Sequence, residues 1–416
     1  MKQAVIAIFD IGKTNKKLFL FNQQYQIVWE KTTQFAETTD EDGDPCEDLE
    51  RLRSWLLESW AEAHQLPNFD VQALNFSTYG ASFVGVDAHG TALTPLYNYL
   101  KPYPEALQTQ FYAQYGGEEA LAVETASPVL GSLNSGMQLY RLKYQKPVLF
   151  AQIAHFLHLP QYVSMLFTNQ FCADITSVGC HTNLWDFTKN QYHNWVQSEG
   201  IAQKLPPMAS HQSSVLCNET KIGAGLHDSS AALIPYLAQF ETPFVLISTG
   251  TWSISLNPFN DLPLTFEELQ QDCLCYLTYE GRAVKASRLF AGHQHEQKVS
   301  ELAQAFNLDE NFYQNIDYQA VYSQKHEQLY YDFMTELVAK QVSSTHLVLA
   351  NTPVTQIFVD GGFSKNALYM HLMAAAYPQF EVYAASVAQA TALGAALVMH
   401  QQWNNAVLPT NLVEFY

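Results

Sequence analysis

The chain has 416 residues, of which 48% are hydrophobic and 15% charged, with a formal net charge of −19. That length allows two or three domains, and the apolar content fills a sizeable core, which excludes a mainly disordered chain. The negative balance repels polyanions and so argues against nucleic acid or an anionic membrane as partner. Any bound phosphate has to rely on backbone N–H groups, a few lysines or a metal ion.

The apolar stretch Ala4 to Phe9 is too short for a secretory leader. No run approaches the ~20 apolar residues that span a bilayer. Six scattered cysteines read as reduced thiols, so a cytoplasmic protein is expected. Ala7-Ile-Phe-Asp-Ile-Gly12-Lys13-Thr14 satisfies a relaxed P-loop pattern. A P-loop, however, runs from a glycine-rich loop into a helix. Here Ile-Phe-Asp-Ile reads as strand, and Leu18 to Phe21 and Tyr25 to Trp29 read as further strands around a polar turn. The expectation is a β-hairpin whose turn, Gly12 to Lys17, holds phosphate with backbone N–H groups and short polar side chains. Asp10 then ends a buried strand, where an acid needs a partner or a metal, and Mg²⁺ is expected there. Lys13, Lys16 and Lys17 crowd one turn; strand alternation sends Lys16 and Lys17 to opposite faces, so at most one of them reaches phosphate.

Glu37 to Asp48 is an acidic stretch that reads as a solvated loop. Glu47 to His64 carries Leu49, Leu52, Trp55, Leu56 and Trp60 at helical spacing. Leu74 to Gly80 is a strand entering a glycine turn, and Ser82 to Gly90 reads as a second hairpin turning at Ala88 to Gly90. Asn134 to Lys143 and Phe150 to Phe167 read as helical, the second broken at Pro160. Asp174-Ile-Thr176-Ser177 reads as a turn or cap. After the glycine-rich turn at Ile222 to Gly225, Asp228 opens a small-residue helix; capping and catalysis are compatible there. Phe244 to Leu256 is strand, Gly250-Thr251 turn, strand, an echo of the first hairpin that suggests internal duplication. His293-Gln294-His295 lacks the spacing of a helical metal pair, so zinc is not expected. Ile357 to Ser364 is a buried strand entering a Gly361-Gly362 turn, and Thr391 to Ala396 is a helix of small residues. Tyr79 and Trp252 are aromatic candidates for stacking on a sugar or for packing.

Five segments in this order carry a resemblance: Asp10 to Asn15, His227 to Ala231, Ser248 to Ser253, Asp360 to Asn366 and Ala390 to Ala396. The chain resembles the FGGY carbohydrate kinases, with rhamnulokinase-type members nearest. The resemblance implies an α/β protein of two RNase H-like (actin/hexokinase-type ATPase) domains with a nucleotide cleft between them. It assigns residues 1–237 to sugar and phosphate-hairpin binding and 238–416 to nucleotide binding. It implies ATP and Mg²⁺ as cofactors, a ketose, deoxyketose or polyol as substrate, and a homodimer. By the same resemblance Asp228 is the general base, with Gly80, His227 and Ser229 touching sugar. Gly12, Lys13, Thr14, Asn15, Lys16, Lys17, Gly250 and Thr251 fall on phosphate hairpins, Gly361 and Gly362 on the adenosine turn, and Gln297 on a nucleotide contact. The chain departs from the family's pattern at Tyr99, where most members carry an acid, at Lys101, where they carry arginine, and at Gln389, where many carry glutamate. Those departures keep an inactive sugar- or nucleotide-binding sensor as the alternative.

Overall fold

The computed structural model describes residues 2–210, 213–319 and 321–415; positions 1, 211, 212, 320 and 416, which fall inside the two predicted domains, lie outside the description. The described chain divides into two units. The first is Met1–Pro235 with Cys275–Arg282 and Gln389–Thr410, and the second is Tyr236–Leu274 with Ala283–Ala388 and Asn411–Tyr416. The two later segments of the first unit lie within the stretch that sequence assigned to the second domain.

The first unit is built on a seven-stranded mixed sheet. Gln3–Ile11 is a central strand, and its apolar run from Val5 to Phe9 is buried throughout, as a continuous apolar run requires. It pairs antiparallel with Asn15–Asn22 and parallel with Phe69–Thr78. Leu226–His227 pairs parallel with the end of Phe69–Thr78, placing His227 opposite Thr78. Helix Leu49–Gln65 covers one face with Leu52, Trp55 and Leu56, and Asp48 caps it by accepting from Arg51 N. A second apolar cluster, around Phe111, Tyr140 and Trp195, lies in the segment inserted between Phe69–Thr78 and the strand Val215–Cys217.

Two local expectations are corrected. Residues 150–167 are not one broken helix: Pro147–Gln152 is followed by strand His155–His158 and then by helix Leu159–Thr168. Pro160 sits in the first turn of that last helix, where its missing N–H costs nothing, so it starts the helix and does not interrupt it. The acidic segment 37–48 is only in part a solvated loop, for most of its residues are exposed but its acids are paired. Its carboxylates meet Lys13, Lys16, Lys101, Arg141 and Lys146, and Asp40 and Glu47 are buried.

The strands that lie wholly in the second unit run in the order Ala283–Leu289, Ser253–Asn257, Phe244–Thr249, Gln356–Gly361, Glu381–Ser386, Glu414–Phe415. Helices Ala291–Phe306, Lys325–Leu349 and Ala367–Ala376 accompany it. Among the described residues no helix is long and apolar enough to cross a membrane.

Candidate active site

In the first hairpin Asp10 stands opposite Lys17 and Ile11 opposite Lys16. Gly12 N–H donates to Asn15 O at 2.8 Å and closes the turn. Strand resumes at Asn15, so no helix follows Thr14. Thr14 and Asn15 are exposed, whereas Gly12 and Lys13 are half-buried. The lysines separate as alternation requires. Lys16 is buried, and its Nζ donates to Glu47 Oε2 and Lys13 O, both at 3.0 Å. That ammonium is committed to Glu47 in a buried ion pair. Lys17 Nζ donates to Gln389 Oε1 at 3.1 Å. Lys13 pairs with Glu37 at 2.5 Å and stands 5.8 Å from the ring centroids of both Tyr79 and Tyr99.

Asp10 is brought close to Asp228. Thr391 Oγ1 donates to Asp10 Oδ2 at 3.0 Å. Burial pushes the Asp10 carboxyl up to about 6, the negative charge of Asp228 adds to the rise, and Thr391 and Lys17 oppose it. Asp228 opens helix Asp228–Gln239, and its Oδ1 accepts from Ser229 N at 2.6 Å and Ser229 Oγ at 3.3 Å. Burial raises this carboxyl to about 6 as well. Among the described residues its contacts are all made through Oδ1.

His227 Nε2 lies 3.2 Å from Asp228 Oδ1 and 3.3 Å from Cys180 Sγ. Burial holds its pKa down to about 4, so the ring is neutral at physiological pH. Gly80 makes room for it: a Cβ there would stand 2.5 Å from His227 Cδ2. Asp174, buried, accepts from Thr176 N, and Thr176 Oγ1 accepts in turn from His227 N at 3.0 Å. The turn read at Asp174 therefore fixes the backbone of the residue before Asp228. Tyr79 is buried, with its hydroxyl donating to Glu47. Tyr99 is half-buried; burial and then the charge of Asp228 raise its phenol, which places it in the surroundings of the carboxylate.

The second hairpin repeats the closure of the first, with Gly250 N–H donating to Trp252 O at 2.9 Å. Thr249 Oγ1 donates to Asp360 O at 2.6 Å and accepts from Phe363 N at 3.0 Å, which ties the turn to the Gly361-Gly362 corner. Gly361 has φ of +91°, and a Cβ on it would stand 1.9 Å from Thr249 O, so only glycine fits. A cavity of about 620 Å³ lies within this unit, lined by Gly250, Thr251, Gly292, His295, Gly362 and Asn366 among others. Gln297 is exposed and does not line it; Glu296 does. Trp252 packs on Phe290, with ring centroids 4.4 Å apart.

Sequence reasoning missed the contacts of Thr391, Thr176 and Gln389 and the place of His295 in the cavity wall. Thr391 and Gln389 were visible only as parts of a late motif, and no spacing rule ties them to residues 10 and 17.

Two α/β units on mixed sheets, each with a strand–turn–strand hairpin carrying Gly and Thr, define an actin/hexokinase-type ATPase fold. A solved carbohydrate kinase from Novosphingobium aromaticivorans shares that fold, with a TM-score of 0.81 at 20% identity over 100% of this chain and 94% of the other. The profile described as FGGY family of carbohydrate kinases, N-terminal domain, matches residues 5–231, and the corresponding C-terminal domain matches residues 328–400. The chain belongs to the FGGY family of carbohydrate kinases. It is 24% identical over 277 residues to L-fuculokinase of Escherichia coli, covering 61% of this chain and 56% of the relative. It is 23% identical over 259 residues to rhamnulokinase of Halalkalibacterium halodurans, covering 59% and 54%. The matched part thus spans about half the length of these curated relatives.

Proposed function

We propose that the chain is an ATP-dependent carbohydrate kinase that transfers the γ-phosphoryl group to a hydroxyl of a small ketose, deoxyketose or polyol. The observation that carries this reading is the Asp228 carboxylate. It is held at a helix start by Ser229 through Oδ1 and is raised to about 6. A group with that pKa is ionised at neutral pH and still basic enough to take a proton as the hydroxyl oxygen attacks phosphorus. The O–H bond breaks toward Asp228, the new P–O bond forms, and the bond to the ADP oxygen breaks.

Asp10 suits a divalent cation, because its carboxylate is buried and crowded by a second negative charge that a cation would offset. Mg²⁺ bound there would neutralise phosphate charge when present. Lys17 and the Gly12 turn face the same end of the strand. Membership of a kinase family and the glycine-lined cavity of the second unit support ATP as donor. The deciding experiment is ADP release across ketoses, deoxyketoses and polyols with ATP and Mg²⁺. Turnover with one of them is expected. ATP binding with no turnover on any sugar would replace this reading with that of a sensor.

A further inference from the structure

The 620 Å³ cavity of the second unit contains a polar group that the proposed reaction does not use. His295, on helix Ala291–Phe306, is only 8% exposed and lines the cavity wall. The edges of Tyr313 and Phe363 fix its ring, with centroids at 4.8 and 5.2 Å and interplanar angles of 88° and 86°.

Hydrogen-bond accounting fixes where its proton sits. Asn366 Oδ1 accepts from Tyr369 N, which leaves Asn366 Nδ2 to donate to Tyr330 Oη at 2.8 Å. Tyr330 is fully buried, and among the described residues its own proton has one acceptor within reach, His295 Nε2 at 2.9 Å. If Nε2 carried the proton instead, the buried phenol O–H would have no acceptor, a cost of about 1–3 kcal/mol. Nε2 is therefore the bare nitrogen, and Nδ1 carries the proton. Burial keeps the ring neutral, with a pKa near 4. Among the described residues Nδ1 meets no protein acceptor, and it is not fully enclosed. It therefore reaches open volume, and His295 borders both this cavity and a smaller one of about 200 Å³ beside it.

Resting on the reading of this cavity as a nucleotide site, we propose that His295 Nδ1–H donates a hydrogen bond to an acceptor atom on the nucleoside of a bound nucleotide. The relay Asn366 to Tyr330 to His295 is what holds the ring in the donating tautomer. Tyr330 is then a positioning residue that touches no ligand.

Calorimetric titration of the full chain with ADP tests this. His295→Leu should weaken ADP about tenfold, the typical size of one lost hydrogen bond to a buried group. His295→Asn, whose amide N–H can occupy the place of Nδ1, should recover most of the affinity. In ¹⁵N spectra the wild-type ring should show the Nδ1-protonated pattern, and Tyr330→Phe should shift it toward the other tautomer while weakening ADP. If wild-type protein binds no ADP, the nucleotide reading and this inference both fall. If it binds ADP and His295→Leu binds equally well, or the ring is protonated at Nε2, this inference alone falls.

Discussion

Asp228 and Asp10 carry the argument at the scale of single residues. A carboxyl raised to about 6 as general base requires kcat/KM to climb with pH and level off above about 7, because the protonated form cannot accept a proton. Asp228→Asn should lower kcat by about 10²–10⁴-fold while leaving ADP binding within twofold, and should remove that acidic limb. Steady-state rates with calorimetry decide it, and retained turnover would end the assignment. Asp10→Asn bears on stability. The folded Asp10 carboxyl titrates near 6, against 3.8 for an unperturbed one. Folding therefore favours its protonated form, and the stability this protonation contributes is lost as pH rises through 6. Removing the charge should raise the melting temperature of the metal-free protein at pH 8 by ~2–4 °C, with the gain vanishing near pH 4. Both acids were legible in the sequence, because a carboxylate ending a buried apolar strand or opening a helix after a glycine turn is conspicuous. The commitment of Lys16 to Glu47 was not legible, since it depends on how the acidic segment folds back.

That segment is the element whose reading changed most. A run of acids suggested solvation because composition shows charge and not partners. Lys101 Nζ meets Asp40, Asp42 at 2.8 Å and Asp44 at 3.0 Å, while Arg141 meets Asp42 at 2.7 Å and Lys146 meets Glu41. The side chains of Lys101 and Asp40 are 3% and 0% exposed. Lys101 was noticed as a departure from the family's arginine, but its three acids lie about sixty positions earlier, beyond any local pattern. Truncating one member of a buried pair leaves the other charge stranded. Lys101→Met should destabilise the first unit by about 3–5 kcal/mol, and adding Asp40→Leu should restore part of that loss. Chemical denaturation of the single and double variants measures it, and equal stability of Lys101→Met and wild type would show that the pair is solvated. The hairpins were legible, by contrast, because apolar runs around glycine turns are local signals.

Across the whole molecule, two sets of buried groups oppose each other between pH 4 and 6.5. Asp10, Asp174 and Asp228 are each raised by burial to about 6. In that window they hold protons in the folded state that the unfolded chain releases, so their contribution to stability grows as pH falls. His158, His227 and His295 are lowered by burial to about 3, 4 and 4. The unfolded chain binds protons on these rings that the folded protein refuses, so their contribution is lost as pH falls below 6.5. These three groups of each sign offset one another in part; His64, His155 and His400, also lowered by burial, add to the histidine side and Asp360 to the carboxyl side, so the melting temperature should change only slowly between pH 6 and 4.5. Below about pH 4 the balance breaks. Lys101 holds Asp42 below the ordinary carboxylate range, and it also holds Asp40 there against the effect of burial; their stabilising pairs are lost as pH falls through those depressed values. His158, hydrogen-bonded to Ser135 Oγ at 3.1 Å and packed on Phe83, is the cleanest place to tip the plateau because it touches neither carboxylate of the proposed site. His158→Gln should make the protein melt higher at pH 4.5 than at pH 6, reversing the sign that Asp10→Asn imposes on the same interval. Thermal unfolding of wild type and both variants across pH 4 to 8 reads this directly, and parallel curves for all three would show that these buried groups do not govern the acid response.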